Sequence, residues 1–354
     1  MPRRPVLTVI ERQELLALPT GAVQRVQHFT LTDSDLAIIR QRRGEGNRLG
    51  FAAQLCYLRF PGRALGVDEI PEPALLEMLS RQLGVSVDRW EGYAKRAQTR
   101  SEHFEELQTW LGLRTFGLPD YRRWAATLAA LAQRTDRGGA LAETLVEGLR
   151  GESVIVPSID VIERICGEAL THGTRRMHEQ LVEPVPPESL AALDALLVLA
   201  EGSQFSRLSW LREPPGTLRA RHILAHLDRL KAVRLIGIPS GTGNALHSGR
   251  LAKLAREGAQ MTSQHLRDLE PNRRHATLVA VVLDTQATLI DEIIDLHDRY
   301  LGAVFSKAKR THAEQFQNSG RAISDKVRLY SQLGRALLAA KKKPVLNRSL
   351  RWKR

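Results

Sequence analysis

Three aspartates, Asp291, Asp295 and Asp298, recur at spacings of four and three in the run LIDEIIDLHDRY, with Glu292 and His297 beside them. On a helix they share one face, an arrangement by which carboxylates can hold a metal ion for phosphodiester cleavage. Two-metal nucleases gather such ligands from separated elements, and no other segment of this chain supplies them. An acidic outer stripe opposite Ile290, Ile293 and Ile294 accounts for the same spacing. Gly241-Thr242-Gly243-Asn244 is a poor phosphate loop, because no lysine follows and no strand-to-helix context supports it. The serines and histidines form no local nucleophile signature. The residues therefore give no catalytic site, no metal site and no cofactor.

A second chemistry is better supplied. In Thr32 to Arg63, TDSDLAIIRQRRGEGNRLGFAAQLCYLRFPGR, arginines cluster around a glycine-broken turn between two short helical patterns. Thr32 and Asp35 form an acidic variant of the capping box ahead of Leu36, Ile38 and Ile39, so a helix starts there. Gly44 and Gly46 stop it. The following pattern, Leu49 to Leu58, is nearly apolar all round and reads as a buried helix. The turn and helix ends then present Arg40, Arg42, Arg43, Asn47, Arg48, Arg59 and Arg63, a construction suited to phosphates and guanine edges. Further along, Trp90, Tyr93 and Ala97 fall on one helical face with Lys95, Arg96 and Arg100 off it, an apolar anchor with a basic flank. Cations in a last helical turn also complement the macrodipole, so this second pattern is less specific. Arg122 with Arg123 extends the basic set. Arg175 with Arg176, Arg219 with Arg221, Arg250 with Lys253, Arg273 with Arg274, and Lys307, Lys309 and Arg310 scatter it over the chain.

The whole composition agrees with that emphasis. Over 354 residues, 52 Lys and Arg face 39 Asp and Glu for a net charge of +13. The tail Lys341–Arg354 contributes seven cations and no acid, leaving +6 on residues 1–340. A body that basic favours DNA through counterion release. Cys56 and Cys166 sit in apolar helical patterns at no metal-ligand separation, and read as small buried hydrophobes. No run approaches the roughly 18 consecutive apolar residues of a membrane span, and the N-terminus lacks the pattern of a secretory signal.

Helical periodicity predicts a mainly α protein. Helices are expected over 9–18, 33–43, 47–59, 72–83, 87–98, 101–111, 120–133, 138–149, 158–180, 188–201, 217–234, 250–257, 272–308 and 311–340, and strands only at Ser153–Val156 and Arg234–Ile238. Val279, Val282, Gln286, Leu289, Ile293, Leu296, Tyr300 and Ala303 alternate spacings of three and four, a coiled-coil-like stripe on a spine about 50 Å long. That spine either pairs with a partner or packs back on 313–340. The Pro-rich stretches 183–187 and 213–216 and the Gly/Ser run 239–249 are hinges. The expected architecture is multi-domain helical bundles with helix-turn-helix-like DNA-binding modules and a long spine helix. Its segments are a DNA-binding region 1–152, itself divisible near 66–72, a middle domain 153–240, a region 241–340 carrying the long helix, and a disordered basic tail 341–354.

The runs NRLGFAAQLCYLRFPGR and WEGYAKRAQTRSEHFEEL resemble the N-terminal region of the Tn-three-type transposases of replicative transposons. VPSIDVIERICGEAL, SWLREPPGT, LAREGAQMTSQHLRDL, RRHATLVA, LHDRYLGAVF and SGRAISDKVRLY continue the likeness in the family's order, over about residues 7–342. The resemblance implies recognition of the transposon's terminal inverted repeats in double-stranded DNA, within the bacterial cytosol and nucleoid, with a second copy or an intact transposase as a further partner. In that family the strand-transfer carboxylates lie on a later ribonuclease-H-like domain, so the expectation is a truncated chain that binds ends and is not itself an enzyme. The alternatives are a helical dimerisation scaffold with non-specific DNA affinity, or a metal-dependent nuclease using the three aspartates.

Overall fold

A computed structural model describes residues 5–66, 68–94, 97–199, 205–214, 216 and 219–342. Among them the chain is helical throughout, and the sole β-type pairings are two isolated bridges. The helices are α1 (Val9–Glu14), α2 (Ala22–Phe29), α3 (Asp33–Arg40), α4 (Glu45–Arg59), α5 (Pro73–Leu83), a 3-10 helix (Val87–Gly92), α6 (Ala97–Trp110), α7 (Leu118–Ala132), α8 (Gly138–Gly151) and α9 (Ile159–Val182). They continue as α10 (Pro187–Ala195), α11 (Arg207–Leu211), α12 (Ala220–Leu235), α13 (Ser248–Gln260), α14 (Ser263–Arg267) and α15 (Pro271–Lys342). The mainly α expectation holds.

The described residues fall into two compact units, one up to Ser206 with Ile238–Val282, the other Arg207–Gly237 with the chain from Leu283. Two apolar clusters stand out among the described residues of the first unit, beside further buried residues such as Leu193, Leu254, Leu266 and Val279. One surrounds α4, whose residues Leu49 to Leu58 are all buried, against Phe29, Ile39, Leu75, Leu79 and Leu107. The other joins α7, α8 and α9 through Trp124, Leu128, Leu141, Leu145, Ile162 and Cys166. Burial pushes the thiols of Cys56 and Cys166 up to about 12, as expected of inert core cysteines. In the second unit, Leu211, Leu230, Val233, Leu289 and Leu296 are buried. His226 of α12 there faces Glu292 of α15, with its Nε2 3.5 Å from the carboxylate.

Local signals place the helix starts. The Asp35 amide donates to Thr32 Oγ1 at 3.2 Å while the Thr32 amide donates to Asp35 Oδ2 at 2.8 Å, completing the capping box of α3. Gly44, at φ 82°, makes the left-handed turn that reverses the chain into α4.

Several boundaries differ from the sequence expectation. α2 is a further helix, short and with Val23, Val26 and Phe29 spaced by three, of which only Phe29 is buried. The expected helix 87–98 is broken: Tyr93 is extended and Ala94 has φ 47°, so the 3-10 helix ends before α6 begins. Tyr93 turns inward instead, over Gly50, and accepts a 2.7 Å hydrogen bond from Gln54 Nε2. Ser153–Val156 forms no strand, only a single parallel bridge from Val154 to Arg114. Arg234 and Leu235 are the last turn of α12 rather than a strand. The expected helix 188–201 ends at Ala195. The separate helices 272–308 and 311–340 are one helix, α15, so 313–340 does not fold back on the spine. Nothing between Lys309 and Thr311 could break it, since no Pro or Gly lies there.

Candidate nucleic-acid interface

α3 and α4 are two helices joined by the short Gly44 turn, and α4 is too buried to enter a DNA groove along its length. Of α4 only the first turn and Arg59 reach the surface, whereas α3 exposes Asp33, Ser34, Ala37 and Arg40. There the cations divide into two kinds. Arg40 and Arg43 are exposed and make no ion pair to a described residue. Arg42 instead grips Glu106 with both terminal nitrogens, at 2.5 and 2.8 Å, and its guanidinium lies 5.0 Å from the Phe51 ring centroid. Arg48 Nε donates to the Arg42 carbonyl at 3.0 Å, and Asn47 Nδ2 donates to the Arg43 carbonyl at 3.1 Å. Asn47 also accepts from the Ala94 amide at 3.3 Å.

Arg59 and Arg63 are structural clamps. Arg59 holds Asp35, which is 1% exposed, at 2.6 and 2.9 Å. Burial pushes the Asp35 carboxyl up, but its bonds to Arg59 and Thr32 outweigh that and leave it below the usual carboxylate range. Arg63 engages Glu69 at 2.5 and 2.7 Å and covers the Tyr57 ring at 4.9 Å. Arg100 donates to the Leu65 carbonyl at 3.1 Å and sits 5.6 Å from the Tyr93 ring centroid. Lys95 and Arg96 lie outside the described residues.

Arg122 and Arg123 sit together on α7, apart in function. Arg123 joins Arg114, Asp120 and Glu152 in an ion-pair network, which with the Gly117 amide holds the Asp120 carboxyl well below its ordinary value. Arg122 is exposed and lines a groove of about 530 Å³ between α7 and α9. Its floor is Ala125, Ala126, Ala129 and Ala130, and its far wall carries His172, Arg175 and Arg176. Tertiary structure thus gathers basic pairs that the sequence leaves scattered. On the other side of α9, Arg175 also lines a cleft with Arg250, Lys253 and Arg273.

The acidic alternative has a plain outcome. Asp291, Asp295 and Asp298 are exposed on α15, where Asp295 pairs with Arg299 at 3.1 Å and Asp298 lies 3.5 Å from His297. Among the described residues no group of three His, Cys, Asp or Glu side chains is placed to hold a metal ion.

Over 341 residues, 96% of this chain, the sequence is 48% identical to the transposase for transposon Tn3926 of Escherichia coli. The relatives that this chain matches are Tn-three-type transposases. The chain is 49% identical to the transposase for transposon Tn21 of E. coli, and 50% identical over 342 residues to that for transposon Tn501 of Pseudomonas aeruginosa. In each case it spans 34% of the relative, about a third of these transposases. A family described as a domain of unknown function (DUF4158) matches residues 6–169, the stretch that supplies the apolar clusters around α4 and between α7, α8 and α9. These relatives correct the expectation that the chain is not an enzyme. They are named transposases, which are enzymes, and a match over a third of their length gives no ground for calling this chain non-catalytic. No described helix is long and apolar enough to cross a membrane.

Proposed function

We propose that this chain serves DNA transposition as a DNA-recognition portion of a replicative-transposon transposase, engaging the terminal inverted repeats in double-stranded DNA. The observation that carries the reading is the pair Arg40 and Arg43, exposed without acid partners at the turn between α3 and α4. In a chain whose relatives are transposases, unneutralised arginines at such a turn are suited to DNA. Asn47 and Arg48 flank this turn, and Arg122 on α7 is a further exposed cation. Arg42, Arg59, Arg63, Arg100 and Arg123 hold the scaffold. The segments 1–152, 153–240 and 241–340, with the basic tail 341–354, are the organisation we propose for it, and the bacterial nucleoid is its place of action. A salt-controlled footprint on a terminal inverted repeat against a scrambled duplex tests the reading. Discrete protection of the repeat is expected, whereas equal, salt-sensitive binding to both would remove end recognition.

One observation favours a second reading, a helical scaffold that pairs with another copy or an intact transposase. Beyond Tyr300, α15 exposes Val304, Phe305, Phe316, Ile323, Val327, Tyr330 and Leu337, more apolar surface than an isolated helix keeps in water.

A further inference from the structure

We propose that the cleft between α9, α13 and the first turn of α15 binds a backbone phosphate of duplex DNA. The inference rests on the DNA-recognition reading and assigns to it a second point of contact, away from the α3–α4 turn. The cleft has a volume of about 810 Å³ and lies wholly within the first unit.

Its lining holds more unpaired donors than acceptors. His178, on α9, is 8% exposed and makes no hydrogen bond to a described residue, yet its ring lines the cleft. Arg250, on α13, is 9% exposed; it donates to Thr174 Oγ1 at 2.9 Å and stands 3.6 Å from Asp136, but its Nε has no partner. Arg273, on α15, is exposed on the rim with no ion pair. Of the carboxylates in the lining, Glu179 and Glu270 accept hydrogen bonds, and Glu257 stands beside a lysine that Asp136 holds. Glu179 accepts from Arg175 at 2.9 Å, and Glu257 lies 3.9 Å from Lys253. Glu270 accepts from the amides of Asn272 and Arg273 at 3.0 Å each, capping α15. Burying a polar side chain without a partner is costly, so the incompletely paired Arg250 guanidinium, with the His178 imidazole open to the same cleft beside it, points to an absent acceptor.

That acceptor is an oxyanion. A phosphate offers oxygens to a fork-shaped guanidinium, to an imidazole N–H and to a flexible rim arginine at once. The cleft is open rather than closed over, as a diester that continues along a strand requires. The neighbouring groove with Arg122 and Arg176 shares Arg175 with it, which extends the donors along α9 in the manner of a backbone track.

The test uses the full chain and a duplex carrying a terminal inverted repeat, with a scrambled duplex beside it, and compares wild type with Arg273→Gln and His178→Gln. Each variant is first checked for wild-type helicity and melting. The expected result for Arg273→Gln is a slope of log affinity against log salt that is shallower by about one, with equal losses on both duplexes. His178→Gln should weaken both duplexes equally too. Wild-type binding with both variants unchanged would overturn the cleft while leaving the DNA-recognition reading intact. No binding by wild type would overturn both. A third arm titrates inorganic phosphate and follows the His178 ring by NMR: perturbation there, with duplex binding unaffected by the variants, would assign the cleft to a free oxyanion and overturn the duplex assignment.

Discussion

Arg59 closes a two-point ion pair on Asp35, at 2.6 and 2.9 Å, across the interface of α3 and α4. The arginine-rich stretch Thr32 to Arg63 thus spends one of its arginines on the fold. Asp35 is 1% exposed and also bonds back to the N-cap Thr32 in the capping box of α3, so the pair ties a helix start to the far end of the next helix.

Arg59→Ala should cost about 3 kcal/mol, measured by urea unfolding, because it leaves a buried carboxylate without its counter-charge. The folded Asp35 carboxyl sits below its unfolded value, so wild type has this stabilisation in full above about pH 4 and loses it as pH falls through the folded pKa. In the variant burial dominates and raises that pKa. The gap between the two proteins should therefore narrow in acid; a gap that widens there would refute the account.

Gly50→Ala tests the plug that replaces the expected helix at 87–98. A Cβ on Gly50 would lie 2.0 Å from Tyr93 Cδ2, and the ring is held by Gln54. Burial pushes the Tyr93 hydroxyl up to about 12, against a lowering influence from Arg100. The substitution should destabilise by roughly 1–3 kcal/mol. Unchanged melting would show that Tyr93 does not seat against α4.

Arg40→Gln and Arg43→Gln should each lower the salt slope of DNA binding by about one while leaving the melting temperature unchanged. Arg63→Gln should do the reverse. It removes the partner of Glu69 and the cover over Tyr57, so stability falls first. A quantitative duplex titration beside thermal melts reads both quantities, and loss of DNA affinity confined to Arg63→Gln would invert this assignment.

α15 gives a prediction for the scaffold reading. Sedimentation velocity over a hundredfold concentration range should show reversible association, and Val327→Glu with Tyr330→Glu should abolish it by charging the exposed apolar face. A wild-type monomer throughout would remove this reading.

By itself the sequence determined the helices whose signals are local and periodic: the Thr32 and Asp35 capping box and the burial of Leu49 to Leu58, since an apolar surround leaves a helix no wet face; the glycines expected to stop α3 instead fall at the N-cap and inside α4, α3 ending at Arg40. It also determined which residue types could meet DNA. It could not say which arginines are free, because an ion pair needs a partner that folding brings from elsewhere, as Glu106 is brought to Arg42 and Glu152 to Arg123. Nor could spacing reveal that Tyr93 leaves its helix for the gap over Gly50, which is a matter of space between α4 and the 3-10 helix. The cleft on α9 is the same kind of fact. His178, Arg250 and Arg273 are distant in sequence and unremarkable alone, and only the packing of α9, α13 and α15 turns them into one set of donors facing one opening.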